Sequence, residues 1–371
     1  MNDRDSEIIS GLLLERGWRM TEKIEDADCI LFNTCSVRHH AEQRAYSNMG
    51  TLAKLKRRKP DIVLGFIGCT AQQDKNIVFK RLPHVDLVVG PASIYKLPGL
   101  IDDVIKNRKR VLAIDFTERP DRVTPFFYGD RNSAYVSISE GCDNFCSYCI
   151  VPYVRGRQRS RKKSNILDEV KAATELGISA ITLLGQNVNS YGKDLDTHYD
   201  FIRLLEDIHR IEAVKRIRFV TCHPKDTEVE LFTTMRSLPK IYKHLHMPLQ
   251  SGSDRILKAM NRGYSVRHYK HLVEELRRYV PECNLTTDII VGFPGESDTD
   301  FEKTVDLLKR IGFDAAYIFK YSPRPPAKSS EFEDNVEDAV KKDRHRRLLD
   351  LQKKISGNKR SSHRHETSKM A

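Results

Sequence analysis

The chain has 371 residues, enough for a substantial core and two or more domains, and its 63 Lys and Arg against 51 Asp and Glu leave a net charge of +12. That balance suits a polyanionic partner or a solvated basic surface and does not choose between them. No apolar run of about 18 residues reads as a membrane span, Met1-Asn2-Asp3-Arg4 opens no signal peptide, and eight cysteines in what then reads as a soluble cytoplasmic chain argue for metal or redox work over a disulfide framework.

Along residues 1–120, short apolar strands at Cys29–Phe32, Ile62–Ile67 and Leu87–Gly90 alternate with helical stretches, the pattern of a small doubly wound parallel α/β sheet. Cys35 follows the first of these strands and Cys69 follows the second. Cysteines at the ends of neighbouring parallel strands would converge on one crevice, where such sheets bind ligands. On the residues alone, a metal site and two unrelated thiols stand level. Cys29 is no substitute partner for Cys35, because six residues of extended strand at roughly 3.3 Å each separate them by about 20 Å. It reads, with Cys222 and Cys283, as a core thiol.

From residue 133 to 356, strand-like runs recur with helices between them, at Tyr135–Ser139, Ile178–Leu184, Ile217–Thr221, Leu245–Leu249, Leu285–Val291 and Ala315–Tyr321. Six such βα units predict an open, partial (β/α)6 barrel. The first strand delivers Cys142, Cys146 and Cys149, spaced C-x3-C-x2-C, at its C-terminal end, where α/β barrels place their active sites. Three thiolates at that spacing can hold three irons of a 4Fe-4S cubane and leave the fourth open for chemistry. Zinc competes, but structural zinc wants a fourth ligand and usually paired C-x2-C units, and no second pair exists here. Buried structural cysteines are the other competitor. Later strand ends carry Gly185-Gln186-Asn187, Pro248-Leu249-Gln250-Ser251-Gly252 and Gly292-Phe293-Pro294-Gly295. Each is explained as well by what a βα turn needs of its backbone, and the last lacks the Lys-Ser/Thr ending of a phosphate loop.

The cysteine loop, with Tyr148 just before its last cysteine, resembles the radical S-adenosylmethionine (SAM) enzymes. The continuation Ile150-Val151-Pro152-Tyr153-Val154-Arg155-Gly156-Arg157 resembles one branch of them, the methylthiotransferases, and most closely the MiaB-type tRNA enzymes. The resemblance implies a 4Fe-4S cluster on Cys142, Cys146 and Cys149 whose open iron is chelated by the amino and carboxylate groups of SAM and whose electron cleaves SAM to a 5'-deoxyadenosyl radical. It further implies that Gln186 and Gln250 lie near SAM, with the peptide groups around Tyr148 beside the adenine. A second, auxiliary 4Fe-4S cluster is implied on three cysteines of the N-terminal domain, two of which match Cys35 and Cys69. The family's remaining cysteine lies in a Gly-Cys-Gln-Met-Asn stretch, and this chain opens at Met1-Asn2, just after it. The run Arg155 to Arg161, four arginines in seven residues, could bind phosphates or the SAM carboxylate, or be a solvated basic loop.

The implied reaction replaces C–H by S–CH3 at C2 of N6-isopentenyladenosine beside the anticodon of tRNA, a bond that no side-chain acid or base activates at neutral pH. A monomer is expected, with tRNA and an electron donor such as flavodoxin or ferredoxin as partners and no membrane. Sibling methylthiotransferases acting on threonylcarbamoyl-adenosine in tRNA or on a ribosomal protein are alternatives, as is a degenerate one-cluster RNA-binding protein without transfer activity. The family's closing RNA-binding module, TRAM, has no counterpart in the sequence. A helix is expected to about Ser356, and residues 357–371 read as a basic, disordered tail.

Overall fold

The computed structural model describes residues 1–37, 39–116, 132–196 and 198–369, with only the backbone course of 39 and 360–369. The expected boundary between domains, at 120–133, falls largely outside the described residues. The chain forms two compact units: Met1–Cys142 with Ile150–Ser179, and Asp143–Cys149 with residues from Ala180 onward.

In the first unit, β1 (Cys29–Thr34), β2 (Val63–Gly68), β3 (Leu87–Val89) and β4 (Val111–Ala113) form one parallel sheet in chain order. Successive residues of a strand face opposite sides, and β2 shows what that does here. Leu64 and Phe66 join Tyr46, Met49 and Leu52 on one face, while Val63 and Ile67 join Ile8, Ile9 and Ile101 on the other. Both faces are covered by helices, which is why β2 reads as an unbroken apolar run. Full burial of each large side chain there contributes roughly 1.5–3 kcal/mol. The fourth strand, Val-Leu-Ala, was too short to announce itself in the sequence. Beyond the sheet come β5 (Ser133–Ser137), β6 (Ser139–Glu140) and β7 (Arg159–Ser160), the last two paired antiparallel.

Gly68 closes β2 at φ +93°, where a Cβ would stand 2.5 Å from the carbonyl oxygen of Thr34. Gly68→Ala is therefore expected to lower stability by about 1–3 kcal/mol through backbone strain. A urea titration of the metal-free protein against wild type measures it, and equal midpoints would refute the expectation.

The second unit carries β8 (Ala180–Leu184), β9 (Arg216–Phe219), β10 (His244–His246), β11 (Asn284–Val291) and β12 (Ala315–Lys320). Pairs β8–β9, β10–β11 and β11–β12 are parallel, and parallel bridges Ile217↔Ile241 and Thr221↔His246 carry β9 onto β10. The strands thus follow one another in chain order with helices between them, the arrangement expected of an open βα barrel. Local signals begin and end these helices. Ser297 and Asp300 form a capping box ahead of helix Asp298–Ile311, which stops at Gly312 in the left-handed conformation. The last helix runs Asp338–Lys369, continuing past Ser356 where the sequence suggested a disordered tail. Gly357 does not take a positive φ there, and no proline interrupts the stretch. Among the described residues no helix is long and apolar enough to cross a membrane.

Candidate functional site

The cysteine loop begins where β6 ends. Gly141 turns the chain at φ +75°, a conformation its neighbour Arg157 would deny to any side chain, and the Cys142 amide then donates to the Gly156 carbonyl at 3.2 Å. Cys142 belongs to the residues of the first unit, and Cys146 and Cys149 to the segment of the second.

That segment, residues 143–149, is stapled to the turn after helix Asp254–Ala259. Ser147 donates from its amide to Met260 O and from its hydroxyl to Ala259 O, each at 2.9 Å. The Asn261 side chain donates to Phe145 O at 3.0 Å, and Ser329 N donates to Ser147 O at 2.7 Å. Both Phe145 and Asn261 take positive φ, 43° and 55°. For a residue as bulky as Phe145 that is costly backbone, which the surrounding bonds sustain.

Cys146 is buried and receives two N–H groups. The Arg262 Nη1 lies 3.3 Å from its Sγ, and His223 Nε2 lies 4.0 Å away. His223 Nδ1 accepts from the Lys225 amide at 3.2 Å, so Nε2 carries the proton and presents it to the sulfur. Burial, with Arg262 and Lys225 nearby, holds the His223 pKa far below its usual value and keeps the ring neutral. Arg262 also donates to Tyr148 Oη at 3.3 Å, Tyr264 Oη at 3.2 Å and Pro248 O at 2.9 Å. Tyr148 packs against Ile256, Met260, Phe293 and Tyr321, and burial pushes its phenol pKa well up.

Gln250 sits at φ +71°, its amide donating to Asp288 O at 2.8 Å and its carbonyl accepting from Ile290 N at 3.0 Å. Its side-chain Oε1 is buried without a partner, and so is that of Gln186. Asn187 and Asn189 beside Gln186 are spent on structure, since both side-chain oxygens accept from the His223 amide, at 3.1 and 3.0 Å. Two buried amide acceptors left open fit a ligand rich in N–H and O–H donors, as SAM is. All eight cysteines are free thiols, the donor type an iron-sulfur cluster requires. Among the described residues no three His, Cys, Asp or Glu side chains gather closely enough to hold a single metal ion. A cubane spreads its ligands over separate corners and asks less convergence of them.

In the first unit the parallel register Thr34↔Gly68 brings the chain after β1 and the chain after β2 side by side, placing Cys35 and Cys69 at adjacent strand ends. Cys69 is buried against Ile150 and Val154. Burial pushes its thiol pKa up, and the Arg155 guanidinium pulls against that shift. Arg155 is thus neither a solvated loop residue nor a free phosphate ligand. It forms a buried ion pair with Asp5 at 2.5 Å and leaves one guanidinium nitrogen without a partner. Arg161 is likewise drawn inward, to Glu169 at 2.7 Å. The start of the chain reaches the same rim, where Asn2 and Asn33 exchange side-chain bonds to each other's carbonyls at 3.2 and 2.8 Å. Cys29 stands at the opposite end of β1 with its thiol pushed up to about 12, and burial raises Cys222 further still, as inert thiols require. Removing Asp5 as Asp5→Ala leaves Arg155 buried and uncompensated, an expected cost of about 3–5 kcal/mol in denaturant titration. An unchanged midpoint would contradict the pair's importance.

Arg262, His223 and the roles of Asp5 and Arg155 as a buried ion pair were not evident from motifs. The one available signal was that Arg262 lies in Met260-Asn261-Arg262-Gly263, a turn with no apolar pattern of its own.

Residues 136–308 match the family model described as the Radical SAM superfamily, and residues 1–90 match the one described as Uncharacterized protein family UPF0004. The fold is shared with the cobalamin- and cluster-bound radical SAM methyltransferase TsrM of Kitasatospora setae, at a TM-score of 0.66 and 13% identity over 85% of this chain and 72% of that one. Barrel, cysteine loop and family match define a radical SAM protein, a class built around a 4Fe-4S cluster and SAM. More specifically, the chain is 47% identical over 361 residues to the tRNA-2-methylthio-N(6)-dimethylallyladenosine synthase of Caldicellulosiruptor saccharolyticus, covering 96% of this chain and 76% of that protein. It is 44% identical to the protein of that name in Natranaerobius thermophilus, over 96% of this chain and 80% of the relative. The chain belongs to this family of methylthiotransferases.

Proposed function

We propose that the protein adds a methylthio group to C2 of N6-isopentenyladenosine beside the anticodon of tRNA, as a cytoplasmic monomer supplied with electrons by a flavodoxin or ferredoxin. The observation that carries the reading is the C-x3-C-x2-C loop, fixed in position by Ala259–Arg262 and by its own positive-φ Phe145. Cys142, Cys146 and Cys149 would hold three irons of a 4Fe-4S cluster, and Gln186 and Gln250 would donate their open amide oxygens to binding SAM, with Tyr148 bordering its adenine. When bound, that cluster and SAM supply the radical chemistry that side chains lack. Cys35 and Cys69 would contribute two thiolates to an auxiliary cluster, and the unpartnered nitrogen of Arg155 is a donor suited to an anionic sulfur there. An exposed, extrudable loop base is the kind of substrate such an enzyme can reach.

The test supplies the anaerobically reconstituted protein with SAM, a reductant and one substrate at a time: isopentenylated tRNA, threonylcarbamoylated tRNA, or ribosomal protein. Nucleoside or peptide mass spectrometry is expected to find the methylthio product with the first alone. Product from either of the others would move the assignment to a sibling enzyme, and no product from any would support a binding protein.

A further inference from the structure

Arg262 is 4% exposed, yet among the described residues no carboxylate pairs with it. Its contacts are the hydroxyls of Tyr148 and Tyr264, the carbonyl of Pro248 and the sulfur of Cys146, and its guanidinium lies 5.3 Å from the Tyr264 ring centroid. Every partner but the sulfur is neutral. A permanently charged group taken out of water without a counter-charge is strongly unfavourable, and arginine does not escape by losing its proton. Of these contacts the Cys146 sulfur alone can carry the balancing negative charge, as a metal-bound thiolate would.

We infer that Arg262 is a positioning residue of the cysteine-loop cluster: its buried charge orients the Cys146 thiolate and raises the cluster's reduction potential. Hydrogen bonds and positive charge at a cluster sulfur stabilise the reduced, more negative state. The neutral His223 adds a second N–H on the same sulfur, without charge. The turn holds the guanidinium in place, because Asn261 in its left-handed conformation bonds the loop carbonyls while Arg262 Nη2 is anchored to Pro248 O. This inference rests on Cys146 being a cluster ligand.

The test reconstitutes the full-length wild type and the variants Arg262→Met, Arg262→Gln and Arg262→Lys. Each is titrated potentiometrically while electron paramagnetic resonance follows the reduced cluster whose spectrum changes when SAM is added. At the wild-type midpoint the ratio of reduced to oxidised cluster is expected to fall at least about tenfold in the Met and Gln variants, which is 59 mV for a one-electron couple. The Lys variant recovers most of the difference. A loaded Met or Gln variant titrating as wild type would overturn the inference, since a merely structural arginine leaves the potential alone. If neither neutral variant takes up iron, restored loading in Arg262→Lys supports the charge, and failure to restore it counts against it. A wild-type protein with no SAM-sensitive signal is a separate result, and it rejects the cluster assignment itself.

Discussion

Cys146→Ala is expected to reduce SAM cleavage to background. The substitution removes one corner of the proposed cubane, and also the sulfur that Arg262 contacts at 3.3 Å, so that a buried cation is left facing a methyl group. The measurement is 5'-deoxyadenosine formed under reducing conditions, read with iron content. Cys222→Ala is the control, because that thiol is fully buried outside the loop and has no role in the proposed site. Cleavage should survive there even if stability falls by an amount typical of a small core deletion. Cleavage retained in Cys146→Ala would reject the site.

Cys69→Ala separates the two proposed sites. SAM cleavage should persist, because Cys69 is not one of the three loop cysteines and takes no part in the bonds that hold segment 143–149 to Ala259–Arg262. Methylthio transfer should be lost, because Cys69 and Cys35 are the thiolates proposed to hold transferable sulfur at the adjacent ends of β1 and β2. Bound iron should fall by about half, one four-iron cluster of two. The same loss of transfer is expected for Cys35→Ala but not for Cys29→Ala, whose thiol is at the far end of β1. Transfer that survives in Cys69→Ala would remove the auxiliary cluster from the account.

The parts of this molecule that were legible in the sequence are those whose signal is local. The cysteine loop is visible because its ligand spacing lies within eight residues of chain, Cys142 to Cys149. β2 is visible because a sheet covered on both faces demands a continuous apolar run. β4, three residues long, carried no such pattern and is specified by its pairing with β3. The contacts on Cys146 were illegible for a different reason. His223 and Arg262 reach it from 77 and 116 residues away, and only the folded barrel brings them together. Arg155 shows the same limit from the other side. In sequence it is one arginine of a basic run, and its burial against Asp5 depends on a contact 150 residues distant. The stretch after Ser356 reads as disordered because it is polar and lacks an apolar face, a pattern that marks packed helices and is silent on an unpacked continuation of one.

The most direct test of the central claim, that the cysteine loop holds a cluster with one open iron, is Mössbauer spectroscopy of the reconstituted protein with and without SAM. The account predicts a cluster in which one iron changes its spectrum on SAM addition and which disappears in Cys146→Ala. The absence of any iron that responds to SAM, or a SAM-responsive signal that survives Cys146→Ala, would contradict it.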